Sequence, residues 1–313
     1  MSNQLSQPRK LLVEEPLAFC NDSLIPLREF GVPVTSHGFI QGTTVAEQVR
    51  TFNRRPFLLE RHYDRWKRGV QLIGFDLNYS FELLRERLQK IIDANATLLP
   101  EAVEQRVSFF FVPPSRSPFC WSEGTSLNSE SSIVGILSFA LRHEQFESQY
   151  INGVVLAETP TCDVPPECWP PDVKIRSRLH YVLAERAATR ICPGAFPILC
   201  DQNGNVSDSA NASILGYRAD TGLLVRPESH RFASITVDYV LDLAREMNIT
   251  VSESEFTVEH LCSCDEIFLV STPWCIFPVQ EVFGRRCQIR SGFPIFRALI
   301  ELWSQKVGRE ITS

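Results

Sequence analysis

Apolar residues along this chain recur at two spacings, and each change of spacing marks an element. Leu59, Tyr63, Trp66, Val70 and Ile73 return at the period of one buried helix face. Phe81, Leu84, Leu88 and Ile91 repeat that period, and Ser80 stands where a hydroxyl can cap the first turn. Around these helices the pattern shortens to strands. Residues 17–27 form a short strand pair about Asn21-Asp22-Ser23, and Val45–Phe52, 106–112 and 133–140 form longer strands. Residues 36–44 form a glycine-punctuated loop, and Arg54-Arg55-Pro56 turns the chain. Residues 113–132, rich in Pro and Ser, make a long loop of the kind that serves as a lid or dimer element.

The charged stretch 141–150 separates this half from a second strand-rich one. There the pattern predicts strands over 153–157, 196–201, 223–225, 250–252 and 267–270, with 206–213 and 214–217 continuing one sheet. Gln202-Asn203-Gly204-Asn205 carries the hairpin-turn signature. Helices are predicted over 178–190, 234–247 and 295–307, the last with Ile295, Leu299, Leu302 and Trp303 inward. The fold class is α/β in the α+β sense, with two domains. The smaller spans residues 1–140, 141–150 connect, and the larger spans 151–313.

A net charge of -6 argues against nucleic-acid or anionic-membrane partners, because no basic tract offsets the sign. No apolar run reaches the length of a membrane span, and the polar start MSNQLSQPRK lacks a secretory apolar region, so a cytoplasmic protein is expected. Its ten cysteines have neither zinc-like spacing nor an exported context. They are expected to be reduced thiols, mostly buried, with no metal site.

Chemistry concentrates at PPDVKIRSRLHY, residues 170–181. Of five lysines, four lie in polar or charged surface patterns; Lys174 follows a Trp-Pro-Pro segment and precedes the apolar run Ile175, Leu179, Val182 and Leu183, typical of a packed helix. Partial desolvation at such a junction lowers an amine's pKa and frees its lone pair for Schiff-base chemistry. The plainer alternative is a lysine that pairs with a carboxylate at a domain junction.

Five motifs in order over residues 17–307 resemble the fold-type IV enzymes that use pyridoxal phosphate. That group comprises branched-chain aminotransferases, D-amino acid aminotransferases and aminodeoxychorismate lyases. The motifs are HGFIQGTTVAEQVRTF from His37, His62-Tyr63-Asp64-Arg65, Lys174 with Arg178 and Leu179, the turn Asn203 to Ser209, and DEIFLVSTPWCIFPV from Asp265. The resemblance implies a two-domain fold with pyridoxal 5'-phosphate in the interdomain cleft, Lys174 as its Schiff-base partner, and a homodimer. Arg65, the first turn at Ile235 and Thr236, and Thr272 would hold its phosphate, and Asp208 would meet its ring nitrogen. Taken alone, Arg65 could be a surface charge, Thr236 an ordinary first-turn residue and Asp208 a turn cap. The family pattern has glutamate at the Asp208 position and often asparagine where this chain has Ser213.

For the substrate, the resemblance points to Arg50 and Arg106, with Gln41 and Tyr181 as further candidates. The implied activity is amino exchange between an amino acid and a 2-oxo acid, branched-chain in kind. One alternative is a lyase that eliminates after the same Cα deprotonation; another is a non-catalytic binding protein on the same fold. The strand 106–112 lacks the Arg-Gly signature of the D-amino acid enzymes and lyases, and Glu47 stands near where lyases carry threonine.

Overall fold

The computed structural model describes residues 14–114 and 131–312. Most of the predicted loop 113–132 therefore lies outside the described residues.

The first half is one antiparallel sheet backed by two helices. Its elements are β1 (Leu17–Cys20), β2 (Ser23–Pro26), α1 (His37–Ile40), β3 (Val45–Phe52), β4 (Arg55–Pro56), α2 (Leu59–Leu72), α3 (Phe81–Ala96), β5 (Glu104–Val112) and β6 (Ile133–Leu141). The strands run in the order β2-β1-β6-β5-β3-β4. The periodic faces of α2 and α3 bury Trp66, Val70, Leu84, Leu88 and Ile91 against Val49, Val107 and Phe109 of the sheet. Strand alternation turns Arg106, Ser108 and Phe110 to the other side. Ser80 caps α3 as its position suggests, accepting from the Leu83 N–H at 3.2 Å. One element replaces predicted loop. The Ser36 hydroxyl accepts from the Phe39 N–H at 3.2 Å, and this cap winds residues 37–40 into the single turn α1.

The second half contains α4 (Glu147–Asn152), β7 (Val154–Cys162), α5 (Leu179–Ile191), β8 (Phe196–Cys200), β9 (Val206–Asp208), β10 (Ser213–Arg218), β11 (Gly222–Val225), α6 (Ile235–Glu246), β12 (Val251–Glu253), α7 (Val258–Cys262), β13 (Glu266–Ser271), β14 (Cys275–Val282) and α8 (Pro294–Val307). Its sheet runs β12-β11-β10-β13-β14-β7-β8-β9, mixed in direction. The expected continuation from 206–213 into 214–217 is broken. Ser209 N–H bonds the Ala212 carbonyl at 2.7 Å, and that tight turn sends β9 to pair with β8 while β10 pairs with β11 and β13. The turn leaves Asp208 and Ser213 near one another at the ends of separate strands.

Two expectations about burial are corrected. In α5, Leu179, Val182 and Leu183 are 70%, 42% and 47% exposed, and the packed residues are Ala184 and Ala188. Small side chains let this helix lie close against Ala157 and Ala195, so its bulky residues face outward. Of the nine described cysteines, all free, only Cys262, Cys264 and Cys275 are buried; Cys162 and Cys168 are exposed. The spread follows from sheet edges and loops, where a thiol need not pack. No described helix is long and apolar enough to cross a membrane.

Candidate active site

A cavity of about 1080 Å³ lies where the two sheets meet, lined by β5 and β6 on one side and by β9, the start of α6 and residues 270–274 on the other. The segment carrying Lys174 is fixed to the edge of the first sheet. Ala46 N–H donates to the Lys174 carbonyl at 2.9 Å and Arg176 N–H to the Thr44 carbonyl at 3.0 Å, with Ile175 bridging Val45. Gly42, at φ 64°, lets its loop close on this segment; a Cβ there would stand 2.5 Å from the Ser177 Oγ.

The Lys174 side chain is half-buried in the cavity, 4.9 Å from the Phe232 ring centroid. Among the described residues it makes no ion pair, so a carboxylate-paired junction lysine is not what the fold builds. Desolvation, followed by the nearby guanidinia of Arg178 and Arg65, pushes its pKa down to about 7. An amine so placed is substantially unprotonated near neutrality.

Arg65 projects from the buried face of α2. Its Nε and Nη2 donate to the two oxygens of Glu47 at 2.6 and 2.7 Å, and Nη1 donates to the Ala233 carbonyl. His62 Nδ1 lies 2.9 Å from the same carboxylate. Burial by itself would raise the Glu47 pKa, but Arg65 and His62 outweigh it and hold the carboxyl well below the usual range. Burial lowers the His62 pKa, against the pull of Glu47. Arg65 is thus no surface charge; its guanidinium stands 4.7 Å from Phe232, the ring that Lys174 also approaches. Beside it α6 begins, with the Ser234 hydroxyl capping the Val237 N–H at 3.3 Å. Thr236 Oγ1 lies 3.2 Å from Thr272 Oγ1, joining the first turn of α6 to the end of β13. A guanidinium, two hydroxyls and a helix N-terminus in one corner form an anion site.

Asp208, at the end of β9, also lines the cavity. It is buried, and its Oδ1 has no hydrogen-bond partner. Burial, then the nearby Asp163 carboxylate, push its pKa well above the ordinary value, while Ser213, Ser209 and Lys174 oppose them. An orphaned buried oxygen is costly unless a donor meets it, and a protonated ring nitrogen is such a donor. The residues present therefore fit pyridoxal phosphate at both ends, phosphate and ring, with an amine lining the same cavity.

The fold brings Lys174, Arg65, Asp208, Ile235, Thr272, Arg106 and Tyr181 to the cavity, and Thr236 reaches it through Thr272. Two predicted residues are not brought there. Arg50 is buried elsewhere, donating from Nη1 to the Pro273 carbonyl and to Cys275 Sγ, both at 3.0 Å. Gln41 is exposed, and its carbonyl accepts from the Ser177 hydroxyl. Arg50 is drawn away by a carbonyl and a thiol of the second half, and Gln41 ends α1 at an exposed position. Glu47, His62, Phe232, Asp163 and Arg176 were not singled out for the site. Glu47 and His62 stand within two of the quoted motifs, which gave them no role at the cofactor; Phe232, Asp163 and Arg176 are revealed by proximity in the fold.

The family model "Amino-transferase class IV" matches residues 44–282. The chain is similar to D-alanine aminotransferase of Staphylococcus aureus, 25% identical across 90% of this chain and 95% of that protein. It is also similar to a probable branched-chain-amino-acid aminotransferase of Thermotoga maritima, 27% identical across 78% of each. In fold it matches the T.th. branched-chain amino acid aminotransferase solved with pyridoxamine 5'-phosphate, with a TM-score of 0.82 at 19% identity over 95% of this chain and 96% of that one. A family match over residues 44–282, on a chain whose cavity holds an amine, an anion corner and an unpartnered buried carboxylate oxygen, makes the chain a member of the class IV aminotransferases, pyridoxal-phosphate enzymes of fold type IV acting on amino acids and 2-oxo acids.

Proposed function

We propose that the enzyme exchanges amino groups between a branched-chain or similar apolar amino acid and a 2-oxo acid, with Lys174 as its catalytic residue. The observation that carries this reading is an unpaired amine and an orphaned carboxylate oxygen facing one cavity. Phe110, Leu137 and Phe139 on the sheet side of that cavity support an aliphatic substrate side chain. Bound there, the cofactor supplies an aldehyde carbon for amine exchange and a ring that accepts the electron pair of the substrate Cα. Arg65, Thr272, Thr236 and the first-turn N–H groups at Ile235 and Thr236 hold the phosphate. The Asp208 carboxylate would accept a hydrogen bond from the protonated ring nitrogen and so keep that nitrogen protonated. The Lys174 amine would remove the substrate Cα proton as base and, as its ammonium, deliver a proton to the former aldehyde carbon as acid. Tyr181 and Arg106 border the substrate.

A second reading, exchange of D-alanine, is favoured by the Staphylococcus aureus relative. The outward Leu179, Val182 and Leu183 of α5 support burial against a second copy, hence a homodimer. Free thiols throughout the described residues support a cytoplasmic location, where they stay reduced. The division into domains at residues 141–150 belongs to the same proposal. The test is borohydride reduction and mass spectrometry, followed by leucine, isoleucine, valine and D-alanine assayed with 2-oxoglutarate. A cofactor adduct on Lys174 and turnover of the branched-chain amino acids are expected. An adduct on another residue, or turnover of D-alanine alone, would overturn the assignment.

A further inference from the structure

Arg50, absent from the cavity wall, is a buried guanidinium that pairs with no carboxylate among the described residues. Its Nη1 donates to the Pro273 carbonyl and to Cys275 Sγ, both at 3.0 Å, and the guanidinium stands 4.1 Å from the Phe52 ring centroid. A cation held in this way gives up water without gaining a counter-charge. An apolar side chain would fill the same space without that cost, so the contacts themselves call for a reason.

Both partners belong to the turn that carries Thr272. Residues 272–274 join β13 to β14, with Ser271 and Cys275 opposite one another at the base. Cys275 sits at φ 65°, a left-handed conformation that glycine usually fills in such turns. Glycine there would relieve the backbone but would offer Arg50 no sulfur. The Trp274 carbonyl accepts from the Tyr150 hydroxyl at 2.7 Å, and the Ser271 hydroxyl donates to the Asn211 carbonyl at 2.6 Å. The turn is thus gripped from outside, while its Thr272 hydroxyl stays at the cavity beside Thr236.

One strand reaches both sides of the phosphate corner. β3 carries Glu47, which fixes Arg65 through two hydrogen bonds, and Arg50, which fixes the Thr272 turn. Strand alternation turns Glu47 toward α2 and Arg50 to the opposite face, where the second half begins. Arg65 and Thr272 come from different halves of the chain, so their spacing depends on a contact that spans the halves.

We infer that Arg50, through the Pro273 carbonyl and Cys275, is a positioning residue that sets the Thr272 hydroxyl at the distance from Arg65 that a bound phosphate requires. Hydrogen bonds weaken steeply once their geometry slips, and a site left about 1 Å too loose loses its ligand's polar contacts. The inference rests on Thr272 holding the phosphate, as proposed above, and the experiment tests the two separately.

Full-length enzyme freed of cofactor is titrated calorimetrically with pyridoxamine 5'-phosphate and with pyridoxamine, neither of which has an aldehyde to bond to Lys174. Arg50→Met should raise the Kd of the phosphate form about 10- to 100-fold, the span of one hydrogen bond to a charged group. The Kd of pyridoxamine should change by less than about 2-fold. In a Thr272→Val background the same substitution should add less than about 2-fold, because the hydroxyl it positions is gone. Arg50→Lys keeps the charge and should lose less, still in the phosphate form alone; it carries the comparison if the methionine variant does not fold. Equal weakening of both ligands, or full additivity in the double variant, overturns the positioning role. Loss in Thr272→Val without loss at Arg50 sinks that role alone. An unchanged phosphate form in Thr272→Val removes the phosphate placement, and the positioning role with it.

Discussion

Replacing Lys174 by methionine should stabilise the cofactor-free protein at low pH and leave it little changed at high pH. The fold lowers the pKa of this amine from 10.5 to about 7. At about 1.4 kcal/mol per tenfold change in proton affinity, the full difference is about 5 kcal/mol. Water at the open cavity screens part of it, leaving about 2–4 kcal/mol. The sign follows from proton counts. Between about 7 and 10.5 the unfolded chain binds a proton that the native protein does not, so native stability rises with pH across that window. Below about 7 the cost of charging the amine in the cavity is present in full. Methionine keeps the stem and removes the titration. Urea unfolding of both proteins at pH 6, 8 and 10 would give the gap directly, other titrations being common to both. The wild type should be the less stable by about 2–4 kcal/mol at the lowest pH, with the gap closing as pH rises. Parallel stability curves would refute the claim that the cavity holds this amine away from its charged form.

The remaining predictions concern the groups around it. Glu47→Gln should cost about 3–5 kcal/mol in urea unfolding of the cofactor-free protein, because it strands the buried Arg65 charge; a loss below about 1 kcal/mol would place that guanidinium in better contact with water than its burial implies. Asp208→Asn should retain the cofactor but lower kcat about 10²–10³-fold, since an amide cannot hold the ring-nitrogen proton electrostatically. Single-turnover kinetics of the half-reaction would check it, and an unimpaired rate would reduce Asp208 to a turn residue.

Much of this architecture was already written in residue order. The periods of α2 and α3, the hydroxyl cap at Ser80, the span of β3 and the order of five motifs each depend on neighbours in the chain, and local sterics and capping enforce them without help from afar. Lys174 was legible because a proline-rich approach and a following helix isolate it. Other features were decided only when the two sheets met. Arg65 became a buried cation because Glu47 lies on the strand beneath its helix and Ala233 on the far half of the chain. Arg50, equally plausible in sequence, was drawn off by the Pro273 carbonyl and Cys275. The apolar run after Lys174 turned outward because alanines, not leucines, fit against β7 and β8. Spacing along a chain fixes which side chains share a face. What that face meets, and hence which charges lose water and which find partners, is a property of contacts between distant segments, and it is there that the pKa of Lys174 and the free oxygen of Asp208 arise.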